Sequence, residues 1–127
     1  MENTNAPFKE LTERIIEACI EVHRTLGPGF LESIYETALA HEFDLRGIRC
    51  EKQKPIPIPY KAILAGEHRF DFLVEGKVVV ELKAIKDFED IHFATILSYM
   101  KATNSKVGLL INFNKPRLVD GIKRFQR

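Results

Sequence analysis

Apolar positions recur at helical spacing near the start of the chain: Leu11, Ile15, Ala18, Cys19, Val22 and Leu26 line one face and predict an amphipathic helix from about Leu11 to Thr25. "LGPGF", Leu26 to Phe30, ends it, because its glycines accept positive φ and its proline cannot continue a helix. A second helix is predicted from about Leu31 to Arg46, with Leu31, Ile34, Ala38 and Leu45 on one face and Gly47 as its cap. Helical spacing returns from about Phe88 to Thr103, with Phe93, Ile96, Leu97 and Met100 as the core stripe. Between these helices the pattern shortens to strands, with turns expected at "AGE" and "EGK". "KPIPIPY" lacks three backbone donors at Pro55, Pro57 and Pro59 and reads as an extended sheet edge. "KVGLLINF", Lys106 to Phe113, is a buried strand, and strand–helix–strand order implies a right-handed crossover and a parallel pair. A short basic helix from about Arg117 to Phe125 is expected to close the chain. The reading is one α/β domain, a mixed sheet flanked by helices, with residues 1–10 a loose N-terminal segment.

Composition narrows the class without deciding it. The 127 residues are 45% hydrophobic and 29% charged, which fits an ordinary globular chain. Nineteen basic and 18 acidic residues leave a net charge of +1, so no overall basic field draws nucleic acid, although local clusters still can. No apolar run reaches the length of a membrane span, and the first residues lack the plan of a signal peptide. Cys19 and Cys50 have no metal-type spacing; reduced thiols and a cytoplasmic setting are expected.

The strand "VVVELKA" carries charge at one end. Val78, Val80, Leu82 and Ala84 share a face, and Val79, Glu81 and Lys83 share the other; in the preceding strand Phe70, Phe72 and Val74 oppose Asp71 and Leu73. With both apolar rows on the core, Asp71, Glu81 and Lys83 fall together on the second face. A three-residue loop Glu75-Gly76-Lys77 pairs Val74 with Val78 and so aligns Asp71 with Glu81, whereas a two-residue turn separates the acids. Opposed carboxylates repel unless a divalent cation lies between them, and oxygen donors with retained water suit Mg²⁺ or Mn²⁺. A lysine beside such an ion can orient the attacking water. Taken alone, acid-x-Lys reads first as a rim salt bridge.

Glu32 heads a stripe that continues through Tyr35, Leu39 and Phe43. It either answers the helix dipole or reaches into the cleft of Asp71 and Glu81. His92, Thr95 and Tyr99 form a second stripe on their helix, read either as a polar outer face or as a cleft wall. His23 is read as a hydrogen-bonded core histidine.

"GFLESIY" is G-x-x-E-x-x-Y from Gly29 through Glu32 to Tyr35. Together with "RFDFLVEGKVVVELKA" and "KVGLLINFN" it resembles the GxxExxY protein family, a branch of the PD-(D/E)XK nuclease superfamily, over nearly the whole chain. The resemblance implies a restriction-endonuclease-like αβββαβ core with a divalent-metal site. Asp71, Glu81 and Glu32 would be its acids and Lys83 its lysine, with the Leu82 carbonyl a further ligand and Tyr35, His92, Thr95 and Tyr99 lining the cleft. Thr95 stands where related sequences often carry Gln, and Phe70 precedes Asp71 in place of proline. The implied activity is hydrolysis of nucleic acid, DNA in the first instance, by metal-activated water. The alternative is a nuclease-like module that binds nucleic acid or a protein partner without cutting. Lys101, Lys106, Lys115, Arg117, Lys123 and Arg124 are the candidate phosphate contacts. A two-fold homodimer would let so small a domain cut both strands.

Overall fold

A computed structural model describes residues 6–127. Helices α1 (Lys9–Leu26) and α2 (Glu32–Leu45) precede strands β1 (Cys50–Tyr60), β2 (Ile63–Val74) and β3 (Val78–Lys83). Helix α3 (Asp90–Thr103), β4 (Val107–Asn112), a short 3₁₀ turn (Leu118–Gly121) and β5 (Ile122–Gln126) follow. The sheet order is β1-β2-β3-β4-β5, antiparallel except for the parallel β3/β4 pair. The expected αβββαβ core is therefore present, extended by α1 and β5. The N-terminal segment expected to be loose falls outside the described residues at 1–5; beyond it, Phe8 packs against the core and α1 begins at Lys9.

Two apolar cores cover the two faces of the sheet. On one, Phe72, Val74, Val78, Val80 and Leu82 pack against α1 and α2 through Ile15, Cys19, Tyr35, Leu39 and Phe43. On the other, Leu73, Val79 and Leu110 pack under Ile96, Tyr99 and Met100 of α3. Close approach of α3 depends on Gly108, where a Cβ would lie 2.7 Å from the Met100 sulfur.

Several sequence expectations are corrected. Helix α2 buries Tyr35, Leu39 and Phe43, while Leu31, Ile34 and Leu45 are exposed, so the stripe headed by Glu32 faces the core. Gly47 is at φ 69, and the bonds Gly47 N–H to the Asp44 carbonyl and Ile48 N–H to the Phe43 carbonyl close the helix in a Schellman motif. The first hairpin turns at Lys61-Ala62, with Lys61 in the left-handed region, and "AGE" lies inside β2. Residues 117–125 do not form a helix: they make the 3₁₀ turn and β5, which gives β4 an antiparallel partner. Within α3, Leu97 is exposed and Tyr99 takes a place in the core beside Ile96 and Met100.

Candidate active site

Register brings the strand acids together. Val74 pairs with Val78, Leu73 with Val79 and Phe72 with Val80, as a three-residue loop requires, and there the β2/β3 ladder stops. Beyond it side chains replace backbone partners. The Asp71 N–H donates to Glu81 Oε1 at 2.9 Å, and the Leu82 N–H donates to Asp71 Oδ2 at 2.7 Å. The strands part because β2 changes face across Asp71. Phe72 lies in the core under α1 and α2, whereas Phe70 lies in the other core and meets the Tyr99 ring at 5.7 Å. Glu81 is buried and Asp71 half-buried.

Burial and proximity make two full charges expensive here. Burial, then the Asp71 charge, push the Glu81 carboxyl up to about 8. Burial also raises Asp71, opposed by the Leu82 N–H, its contact with Glu81, the Lys83 ammonium and the Gln53 amide. Both carboxyls are thus raised, which favours the pair sharing one proton near neutral pH. Tyr99 responds to the same charges: burial, Glu81 and Asp71 push its phenol up to about 12.

Helix α2 delivers Glu32 to Lys83, with Oε1 and Nζ 4.0 Å apart. Burial raises the Glu32 pKa, Lys83 lowers it, and Asp71 and Glu36 raise it further. Among the described residues no three His, Cys, Asp or Glu side chains meet closely enough to hold an ion together. Glu32 therefore sits beside Lys83 without completing a three-carboxylate cluster, contrary to the convergence expected from the sequence.

Tyr35 does not line a cleft. It is fully buried, stacked on Phe113 at 4.6 Å, and its hydroxyl donates to the Gly27 carbonyl at 2.6 Å while accepting from the Phe30 N–H at 3.1 Å. Gly29, at φ 108, gives the intervening loop a turn that side chains resist. Together the motif's glycine and tyrosine shape the segment that leads into Glu32. Tyr35→Phe removes both hydrogen bonds without changing the ring; we expect a loss of about 1–2 kcal/mol, read as a melting temperature several degrees lower.

His92 is half-buried, and its Nδ1 accepts from the Glu89 N–H at 2.8 Å in a capping box. Thr95 is also half-buried, and its hydroxyl is given to the Ile91 carbonyl at 2.8 Å. His23 donates from Nε2 to the Lys115 carbonyl at 2.7 Å and packs near Phe113, a structural histidine as expected. The candidate phosphate contacts are dispersed. Lys115 pairs with Asp87 at 2.7 Å, and Arg124 ties β5 to Thr12 and to the Pro7 carbonyl. Lys101, Lys106, Arg117 and Lys123 are exposed.

Two neighbours of Asp71 escaped the sequence reading. Gln53, in β1, donates its amide to Glu36 Oε1 and Oε2 at 2.9 and 2.7 Å and to Asp71 Oδ1 at 3.1 Å. Glu36 lies one helical turn beyond Glu32, a spacing that places both on one side of α2. Burial raises its pKa, the Gln53 bond lowers it and the Asp71 charge raises it.

A family model described as PD-(D/E)XK nuclease superfamily matches residues 9–125. The chain belongs to that superfamily, and its mixed five-stranded sheet flanked by helices is the restriction-endonuclease-like fold. Nucleases of this superfamily generally use divalent metals and act on nucleic acid. Neither the search of curated proteins nor that of solved structures returned a match.

Proposed function

We propose that this is a single-domain, Mg²⁺- or Mn²⁺-dependent phosphodiesterase of the GxxExxY branch, acting on nucleic acid and on DNA in the first instance. The observation that carries the reading is the Asp71–Glu81 pair, set where two strands part and poorly stable as two free anions. Its donors fit a hard cation. Mg²⁺ is commonly bound through one or two carboxylates, with water and substrate phosphate supplying the rest, so a third protein carboxylate is not required. Asp71 and Glu81 would hold the ion, with the Leu82 carbonyl as a further ligand and Glu32 acting directly or through water. The bound ion would supply Lewis-acid stabilisation of the phosphate and a more acidic water.

The remaining work falls to the chain's own groups. Lys83, half-buried and beside Glu32, would orient the attacking water and offset negative charge developing on the phosphate. Glu32, whose carboxyl is raised mainly by burial, would accept a proton through water. Among the described residues no helix is long and apolar enough to cross a membrane. The free thiols Cys19 and Cys50 fit a cytoplasmic setting.

Calorimetric titration with Mn²⁺ tests the reading. The unaltered chain is expected to bind, and Asp71→Asn to lose most of that affinity. Because the ion must displace the Glu81 proton, affinity should strengthen by up to about tenfold per pH unit until the pH passes about 8, then level off. No measurable Mn²⁺ binding at pH 9, together with retained DNA binding, would favour the non-cutting module instead.

A further inference from the structure

Gln53 occupies a place in β1 that its backbone does not favour. It lies between the pairs Lys52↔Phe72 and Lys54↔Phe70, opposite Asp71, with φ 54 in the left-handed region. Its carbonyl accepts from Arg69 at 3.0 Å. Its amide nitrogen lies within bonding distance of three carboxylate oxygens, two on Glu36 and one on Asp71. That nitrogen has two hydrogens, so one of them is shared. With carboxylates on both sides, only the NH₂ end of the amide can face them.

Asp71 is consequently gripped at both oxygens, Oδ1 by Gln53 and Oδ2 by the Leu82 N–H. One contact alone would leave the carboxylate free to swing about it; two fix its plane relative to Glu81. Glu36 in turn anchors Gln53 from α2. The choice of an amide follows from charge. Lysine or arginine at this position could hold Asp71 equally well, but would neutralise it and compete with a cation for it. An amide donates hydrogen bonds and leaves the negative charge available.

We propose that Gln53, anchored by Glu36, is a positioning residue that holds the Asp71 carboxylate in the orientation needed to take a divalent cation with Glu81. The proposal rests on the functional reading above, and a metal-free measurement separates the two.

Two substitutions are informative. Gln53→Met keeps the length and the left-handed backbone but removes the donor. Gln53→Gly also removes the donor while favouring φ 54, so backbone distortion cannot explain a shared effect of the two. In metal-free protein, hydrogen exchange at the Leu82 N–H should quicken by about tenfold in both variants, because a released Asp71 leaves it less protected. Mn²⁺ affinity by calorimetry should fall by about 10–100-fold, the usual cost of losing an outer-shell partner. An unchanged Leu82 rate in both variants, or unchanged affinity in a chain that binds the ion, overturns the proposal. If the unaltered chain takes no Mn²⁺, the functional reading fails, and the Leu82 rate still decides whether Gln53 holds Asp71.

Discussion

Nicking of supercoiled DNA in Mg²⁺ or Mn²⁺ is expected to slow by about a hundredfold or more when Lys83 is replaced by alanine, with Mn²⁺ affinity close to that of the unaltered chain. The separation follows from position. Lys83 stands next to the carboxylates without occupying their oxygens, and its nearest acid is Glu32 at 4.0 Å. Removing its ammonium leaves Asp71 and Glu81 able to take an ion, but removes the cation that would steady the nucleophile. It also removes a charge that lowers the pKa of Asp71, Glu81 and Glu32, so the comparison belongs above pH 8, where the shared proton is gone. Glu81→Gln should differ by losing both cutting and ion affinity. Equal residual cutting in all three proteins would assign it to a contaminating nuclease. Absent cutting on supercoiled DNA, single-stranded DNA and RNA, with clear binding to any of them, would make the binding module the better description.

Glu81→Gln should also change stability, and in the direction opposite to most substitutions of a buried residue. In the folded chain Glu81 keeps its proton up to about pH 8, against an ordinary value of 4.5. The folded state thus holds a proton that the unfolded chain releases. The stability this confers is full below about pH 4.5 and is lost as the pH rises through about 8. Glutamine imitates the protonated acid: its oxygen can still accept from the Asp71 N–H, and its amide can donate towards the Asp71 carboxylate. Metal-free Glu81→Gln is therefore expected to be more stable than the unaltered chain at pH 9 by on the order of a few kcal/mol, and nearly equal to it at pH 4. Urea midpoints in chelator across that range provide the check. Parallel curves for the two proteins would mean that Glu81 ionises without cost.

The Val74–Val78 register that brings Asp71 near Glu81 was legible because it needed only the period of a strand and the length of the Glu75-Gly76-Lys77 loop. The break in that period at Asp71, which sends Phe70 to the opposite core from Phe72, was not. Gln53 was hidden for a related reason. Its place opposite Asp71 depends on where the first hairpin turns, and that turn uses Lys61 in a left-handed conformation instead of the glycine that usually marks one. The expected turn at Gly66 moved every β1–β2 pair. An irregularity between Ile58 and Pro59 shifts the register again, a feature that no pattern of side chains announces. Helix α2 misled differently. It carries two apolar stripes one residue apart in phase, and the larger rings of Tyr35 and Phe43 took the core, leaving Leu31 and Ile34 outside. For β5, five mostly polar residues gave little reason to expect a strand; pairing with β4, not composition, made it one.

The prolines of β1 bear on how two copies of this chain could associate. Pro55 and Pro57 alternate along the outer strand, and a strand bonded to β2 must keep its inward donors, so the missing N–H groups are those facing away from the sheet. That margin offers carbonyls but few hydrogens to an incoming strand. A continuous ten-stranded sheet built by joining two β1 margins is thereby disfavoured, as is the templated stacking that leads to fibres. A two-fold pair, if the chain forms one, would have to be built elsewhere, from helical surfaces or from the opposite margin at β5.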